Sequence, residues 1–311
     1  MTDLYPSRCY DKPRLLPRQD PVAWQAWNRE APLSHEQYDD WCRDGFLQLQ
    51  DVFDAREVTL LQHELEHLLT RASLRQHPAA VTETGQRKLR SLFAPQQHSL
   101  MLDALMRDRR ILEIARFLLN SPVYVHQSRI NFKPGLHGGE FFWHSDFETW
   151  HTEDGMPRMR ALSVSISLTD NNAHNGPLLL IPGSHQQFIS CVGETPDNYY
   201  QRSLKKQTIG TPDADSIAQL AAQGIKAATG KAGTITLFDC NVLHGSAGNL
   251  SPWPRSNVFF VYNSVYNTPQ MPFAGTRPRP AHLAERKDFS ALTPITPDYA
   301  ALATEQVARA S

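Results

Sequence analysis

The chain has 311 residues, 41% of them hydrophobic, and a formal net charge of −1. This is enough for a large buried core in a single unit, a length that β-barrel and β-sandwich enzymes often carry as one domain. The near-neutral balance offers no footprint for nucleic acid or an acidic membrane, and no apolar run approaches the roughly 18 residues of a membrane span.

Met1–Arg8 lacks an apolar signal core. Cys9, Cys42, Cys191 and Cys240 are scattered, with no C-x-x-C pair and no framework spacing. Reduced thiols in a cytoplasm are therefore expected. Residues 1–33, rich in Pro and Arg, are expected to wrap the body rather than build its core. Ser34 and Gln37 form a capping-box signature at a helix start, and Asp54 and Glu57 repeat it. Behind the second box, Val58, Leu60, Leu61, Leu65 and Leu68 recur at helical spacing, which predicts a helix over 55–72. A third helix is expected over 98–119, burying Leu100, Ala104, Ile111, Ile114, Ala115 and Leu118.

From about Val123 the periodicity becomes that of strands. These are expected at 123–132, 140–146, 161–168, 177–181, 234–238 and 256–265, with Gly, Pro and Asn turns between them. Helices followed by many short strands indicate an α+β chain with a β-sandwich or barrel at its centre. The polar segment 194–232, broken by Pro196 and Pro212, reads as an insertion or lid with a short helical stretch at 214–223. There is no internal repeat and no second domain. The chain divides into the wrapping segment, a mainly helical part over 34–120, a β core over 121–268 and a C-terminal segment over 269–311.

The chemistry concentrates in Phe141-Phe142-Trp143-His144-Ser145-Asp146. On an extended strand, residues i and i+2 share a face, so His144 and Asp146 converge. A lone His-x-Asp is weak evidence, and His151 and Glu153 make a rival pair nearby. The run 151–155 reads as an exposed turn, which favours the first pair. His244 lies just past the expected strand 234–238; taken alone it is as readily a core imidazole bonded to backbone. Two histidines and one carboxylate on one side of a metal leave positions open, the arrangement that suits Fe(II) in oxygenases.

Arg255 follows at the head of an apolar strand, on the face shared by Asn257 and Phe259. A buried arginine is costly unless it meets an anion, and its fork fits a carboxylate at two points; an internal salt bridge is the alternative. Gln127, Arg129, Asn131 and Lys133 share one face of their strand, as do Ser163, Ser165 and Ser167 of theirs. Either face is solvated or forms the polar wall of a site. His185, in the turn after Asn175-Gly176-Pro177-Leu178-Leu179-Leu180-Ile181-Pro182-Gly183-Ser184, reads as structural.

With His-x-Asp, that Asn-Gly-Pro-Leu…Ile-Pro-Gly-Ser-His segment, the distal His244 and Arg255 in place, the chain resembles the phytanoyl-CoA dioxygenase superfamily of non-haem Fe(II), 2-oxoglutarate-dependent oxygenases. The run from Phe142 to Pro157, continuing through Met159-Arg160-Ala161, is most similar to the ectoine-hydroxylating branch, and the likeness spans roughly 5–290. The resemblance implies a double-stranded β-helix core, jelly-roll or cupin-like, flanked by N-terminal helices. It implies Fe(II) on His144, Asp146 and His244, acting as ligands and not as acid–base catalysts. It places 2-oxoglutarate against Arg255, with Lys133, Asn131, Ser246, Ser163 and Phe93 around it. Ectoine would sit among Gln127, Trp150, Ala161, Phe238, Phe259 and Arg277, with Arg279 competing for the last place in a Pro-rich loop. The implied reaction converts ectoine to 5-hydroxyectoine with release of succinate and CO2, in compatible-solute biosynthesis under osmotic stress, and the implied assembly is a homodimer. Three other readings stay open: a relative acting on an amino acid or another solute, a metal-dependent hydrolase or isomerase on a similar barrel, and a solute binder without chemistry.

Overall fold

The computed structural model describes residues 3–83 and 88–310, and Met1, Thr2 and Ser311 of the two terminal segments lie outside the described residues. The first two helices start where their capping residues require. Ser34 Oγ accepts from Gln37 N at 3.1 Å while Gln37 Oε1 accepts from Ser34 N at 2.9 Å, opening the helix His35–Asp44. Asp54 and Glu57 make the same reciprocal pair ahead of Ala55–Thr70. That helix buries Val58, Leu61, Leu65 and Leu68, each contributing roughly 1.5–3 kcal/mol by transfer from water.

The helix expected over 98–119 is two helices, Leu100–Leu105 and Arg109–Leu119. Asp108 Oδ1 accepts from Arg110 N at 3.0 Å and so caps the second. At the break, Ile295 takes the Arg109 N–H and gives its own to Arg107, both at 2.9 Å. A partner nearly two hundred residues away thus supplies bonds that a continuous helix would have made internally. Ala104, Ile111, Ile114, Ala115 and Leu118 are buried as expected, whereas Leu100 is only half-buried.

Two antiparallel sheets face each other. The larger orders its seven strands Phe46–Leu49, Ile235–Asp239, Ala161–Ser167, Arg255–Ser264, Val123–Lys133, Leu89–Phe93 and Ala80–Thr82. The smaller orders four: Lys226–Ala228, Leu178–Leu180, His244–Ser246 and Phe141–His144. Alternation divides the larger sheet cleanly. Leu162, Val164, Ile166, Val258, Phe260 and Tyr262 pack outward against the helices in the main core. Phe238 and Phe259 point inward and pack with Leu178, Leu180 and Val242 of the smaller sheet and its flank. The architecture is the expected α+β jelly roll.

Three expectations need correction. The N-terminal segment does more than wrap: Arg14–Pro17 pairs with Gln187–Ser190, and Tyr5 is fully buried with Phe147, Trp150 and Phe188. Part of the 194–232 insertion is core sheet, because Lys226–Ala228 extends the smaller sheet by pairing with Leu178–Leu180. The strand expected over 140–146 ends at His144, and Asp146 opens the short helix Asp146–Thr149. Among the described residues no helix is long and apolar enough to cross a membrane.

Gly45 ends the first helix at φ +82°, where a Cβ would lie 2.4 Å from His185 Nδ1 and 2.7 Å from Val242 Cγ2. Gly45→Ala is therefore expected to destabilise by more than about 1 kcal/mol, from backbone strain and overlap together. Urea unfolding compared with the native chain measures it.

Candidate metal centre

Strand pairing brings the two histidines together. His244 sits directly opposite His144 in the antiparallel register of the smaller sheet, so both side chains leave the same face and their rings lie 4.2 Å apart. Two residues past His144, the helical turn swings Asp146 back over the pair. Its Oδ1 is 3.7 Å from His144 Nε2 and its Oδ2 is 3.8 Å from His244 Nε2. The three ligand atoms lie within 4.8 Å of one another.

The hydrogen bonds behind the rings fix what they present. Nδ1 of His144 lies 2.7 Å from the Phe142 carbonyl, and Nδ1 of His244 lies 3.0 Å from the Val242 carbonyl. A carbonyl only accepts, so each Nδ1 carries the proton and each Nε2 turns its lone pair toward Asp146. Burial, followed by the neighbouring His144, pushes His244 down to about 4, so it is neutral near pH 7. Burial alone would raise the Asp146 carboxyl. His244, His144 and Arg129 outweigh it and hold Asp146 below the ordinary carboxylate range. Ser163 Oγ donates to Asp146 Oδ2 at 3.3 Å. Two imidazole Nε2 atoms and one carboxylate are the donor set of a divalent transition metal, and the residues fit one.

The cleft in front of this cluster is lined from both sheets. At one end Arg255 is fully buried, and its Nε and Nη1 have no hydrogen-bond partner. Burial alone pushes the guanidinium down to about 10. Its neighbour across the register is Lys133, whose Nζ donates to Ser246 Oγ at 2.7 Å. Burial, then Arg255 and Arg90, push Lys133 down to about 6. Arg90 is paired with Glu83; among the described residues Arg255 has no such carboxylate. Asn131, Ser246 and Phe93 also line the cleft, and Ser91 Oγ donates to Asn131 Oδ1 at 2.8 Å.

At the other end Gln127, Trp150 and Phe259 line the cleft. Gln127 Nε2 donates to the Leu283 carbonyl at 2.6 Å, and its Oε1 accepts from Arg129. Phe238 lies behind the cluster, its ring 4.9 Å from that of His244, and Ala161 is buried with Trp150 and Phe147; neither lines the cleft. Arg277 is exposed and outside it. The arginine that does line the cleft is Arg279, buried and bound through Nε and Nη2 to Asp154 at 2.7 and 2.6 Å. That pair is unreadable from a Pro-rich loop.

Sequence reasoning assigned no role to Arg129. Arg129 lines the cleft half-buried, its guanidinium 4.8 Å over the Phe259 ring. The signal was present, since it shares a face with Gln127 and Asn131. The run 151–155 is not an exposed turn. Trp150–Asp154 is a π-helical turn with every residue buried. Distant charges make that burial tolerable: Arg8 pairs with Glu153, and Arg279 and His126 pair with Asp154. His151 bonds the Met156 carbonyl and Asp3, a structural role remote from the cluster. His185 is likewise structural, its Nε2 lying 3.2 Å from the Cys42 carbonyl.

The family profile described as phytanoyl-CoA dioxygenase (PhyH) matches residues 41–257. A curated ectoine dioxygenase from Bordetella bronchiseptica is 52% identical over 294 residues, covering 94% of this chain and 96% of that protein. Among solved structures, EctD from S. alaskensis with 2-oxoglutarate and 5-hydroxyectoine superposes with TM-score 0.87 at 46% identity. The same enzyme with bound Fe gives 0.85 at 45%. Each covers 94% of this chain and 98% of its own.

Arg279 and Arg277 separate by stability. Asp154→Ala strands the buried Arg279 and is expected to cost about 3–5 kcal/mol, whereas Arg277→Ala should stay within about 0.5 kcal/mol of native. Denaturant unfolding of both variants reads the contrast.

Proposed function

The chain belongs to the phytanoyl-CoA dioxygenase family, and from that premise we propose that it hydroxylates ectoine to 5-hydroxyectoine, using O2 and 2-oxoglutarate and releasing succinate and CO2. The observation that carries this reading is one cleft holding both a His-Asp-His donor set and a buried guanidinium without a counter-ion among the described residues. Water-activating hydrolysis has no use for such an arginine, and a passive binder needs no open metal face. The full-length likeness to ectoine dioxygenases supplies the substrate.

His144 and His244 hold Fe(II) through Nε2, and Asp146 through its carboxylate. When bound, the metal and the 2-oxo acid supply O2 activation and C–H oxidation. The protein contributes position and exclusion of water. Arg255 receives the distal carboxylate of 2-oxoglutarate as a two-point pair, with Lys133, Asn131, Ser246 and Phe93 setting its walls. Ser163 acts on Asp146, orienting it by hydrogen bond. Ectoine is a zwitterion with a delocalised amidinium. Trp150 and Phe259 offer aromatic faces to that cation, Gln127 offers an amide, and Arg279 takes the place of Arg277 opposite the substrate carboxylate. Phe238 and Ala161 shape the pocket from behind. Phe142 and residues 204–207 line the cleft, which supports a lid role for the insertion.

The proposal includes a reducing cytoplasmic setting, supported by free Cys9, Cys42, Cys191 and Cys240. It also includes a homodimer, for which the exposed Leu250 and Trp253 offer apolar surface.

Anaerobic loading with Fe(II) and 2-oxoglutarate, then ectoine and O2, should give a product heavier by one oxygen atom with matching succinate. Unchanged ectoine mass, or equal succinate release with a panel of amino acids, would sink the substrate assignment. Arg255→Gln is expected to raise the KM for 2-oxoglutarate on the order of 30-fold or more, the cost of losing a buried charge pair of roughly 2–5 kcal/mol.

Lys133 supplies a second check. With a folded value of about 6, it is mostly neutral at about pH 8. A dianion beside Arg255 offsets the neighbouring cations and raises that value, so binding should take up a proton. Calorimetry of 2-oxoglutarate binding to the Co(II)-loaded chain in two buffers of different ionisation enthalpy measures the uptake, and Lys133→Met should abolish it.

A further inference from the structure

Two arginines of the N-terminal segment lie buried beneath the turns that carry Asp146 and His244, and neither lines the cleft. Arg8 is forked onto Glu148, with Nε to Oε1 at 3.0 Å and Nη2 to Oε2 at 2.7 Å, while Nη1 donates to Glu153 Oε1 at 2.8 Å. Its side chain is 2% exposed. Glu148 stands on the helical turn opened by Asp146, and Glu153 on the next turn, which also bears Trp150. Arg18 is forked onto Asp239, Nη1 to Oδ1 at 2.8 Å and Nη2 to Oδ2 at 2.9 Å. Asp239 ends the strand before His244 and accepts from Asn241 N at 2.8 Å.

The two turns are also bolted to each other. Phe147 N donates to the Cys240 carbonyl at 2.8 Å, and Ser145 Oγ to Asn241 Oδ1 at 3.0 Å. The arginines are held in a fixed relation by their own segment. Tyr5 Oη donates to Asp20 Oδ2 at 2.9 Å and accepts from the backbone N of Gln19 and Asp20 at 3.0 Å, closing the loop that contains both.

We propose that Arg8 and Arg18 are positioning residues for the metal site: through Glu148 and Asp239 they set the two ligand-bearing turns before a metal arrives. This rests on the metal-binding reading of His144, Asp146 and His244. A buried ion pair adds little net stability over apolar packing. What a forked guanidinium supplies is direction, because two parallel bonds fix the carboxylate's plane as well as its place. Each carboxylate is in turn rigidly joined to a ligand by a few residues of turn.

The test is anaerobic titration of the metal-free full chain with Co(II), followed by calorimetry and visible absorption, with melting temperatures alongside. Native protein is compared with Arg8→Gln, Arg18→Gln, Arg8→Lys and Arg18→Lys. Arg14→Gln serves as control, since that residue is exposed on the same segment and lies over the Tyr10 ring. The control should bind as native does. The Gln variants should bind on the order of tenfold to a hundredfold more weakly, with altered Co(II) absorption bands. The Lys variants should fall between, keeping charge but losing the fork. Gln variants that melt lower yet bind Co(II) with native affinity and bands would show a structural role only and overturn the proposal. Where a Gln variant does not fold, the matching Lys variant decides by the same criterion. If the native chain takes up no Co(II), the metal reading itself fails and the proposal with it.

Discussion

Everything in the cleft depends on the antiparallel register that sets His144 against His244. A strand slipped by one residue would turn every side chain to the opposite face, sending one imidazole out of the cleft. Local sequence does little to hold that register, since the strand His244–Ser246 is only three residues long and the pairing shifts between His244 and Ser246. It is held instead by bonds at the flanks: Phe147 to Cys240, Ser145 to Asn241, and the Leu243 carbonyl accepting from Ile181 N at 3.0 Å. The short strand is thereby clamped from both neighbours.

Electrostatics add a second constraint. The interior around the cleft carries more cation than its own carboxylates neutralise. Arg255 is buried and Arg129 half-buried, desolvation lowers both from their ordinary values, and Lys133 has its value lowered far enough to be mostly neutral. Such charges are costly without a counter-ion. The cost is justified when anionic ligands complete the site, because groups held without counter-ions bind an incoming carboxylate with little reorganisation. Asp146 is the exception that supports the rule: its negative charge is kept at neutral pH by the same cations and imidazoles that crowd it.

Much of this was legible in the residues. Capping boxes at Ser34 and Asp54 gave helix starts, and period-two alternation gave the strands and the inward faces of Gln127, Asn131, Arg255 and Phe259. These are local signals with local causes. What was not legible has long-range causes. The break at Asp108 depends on Ile295, and the burial of Trp150–Asp154 depends on Arg8 and Arg279. A polar run such as His-Thr-Glu-Asp-Gly looks solvated unless its counter-ions are seen, and nothing in the local spacing announces an arginine a hundred and more residues away. The choice between Arg277 and Arg279 stayed open for the same reason: the pairing of Arg279 with Asp154 has no local signal.

The placement of those counter-ions carries a further consequence. Glu148, Glu153 and Asp154 all lie on turns immediately after Asp146, and each is neutralised from outside the β core, by Arg8 or by Arg279. A turn anchored only by apolar packing can rock on its contacts, because dispersion is non-directional. Charge-assisted bonds to fixed forks resist rotation as well as translation. The segments flanking the core in the chain thus have a stake in the geometry at its centre. Truncating either flank would leave carboxylates unpaired in the interior, a penalty of the kind that shifts whole elements to regain water. The N-terminal strand, the metal-bearing turns and the loop of Arg279 are best regarded as one cooperative unit whose common purpose is the orientation of Asp146 and Trp150.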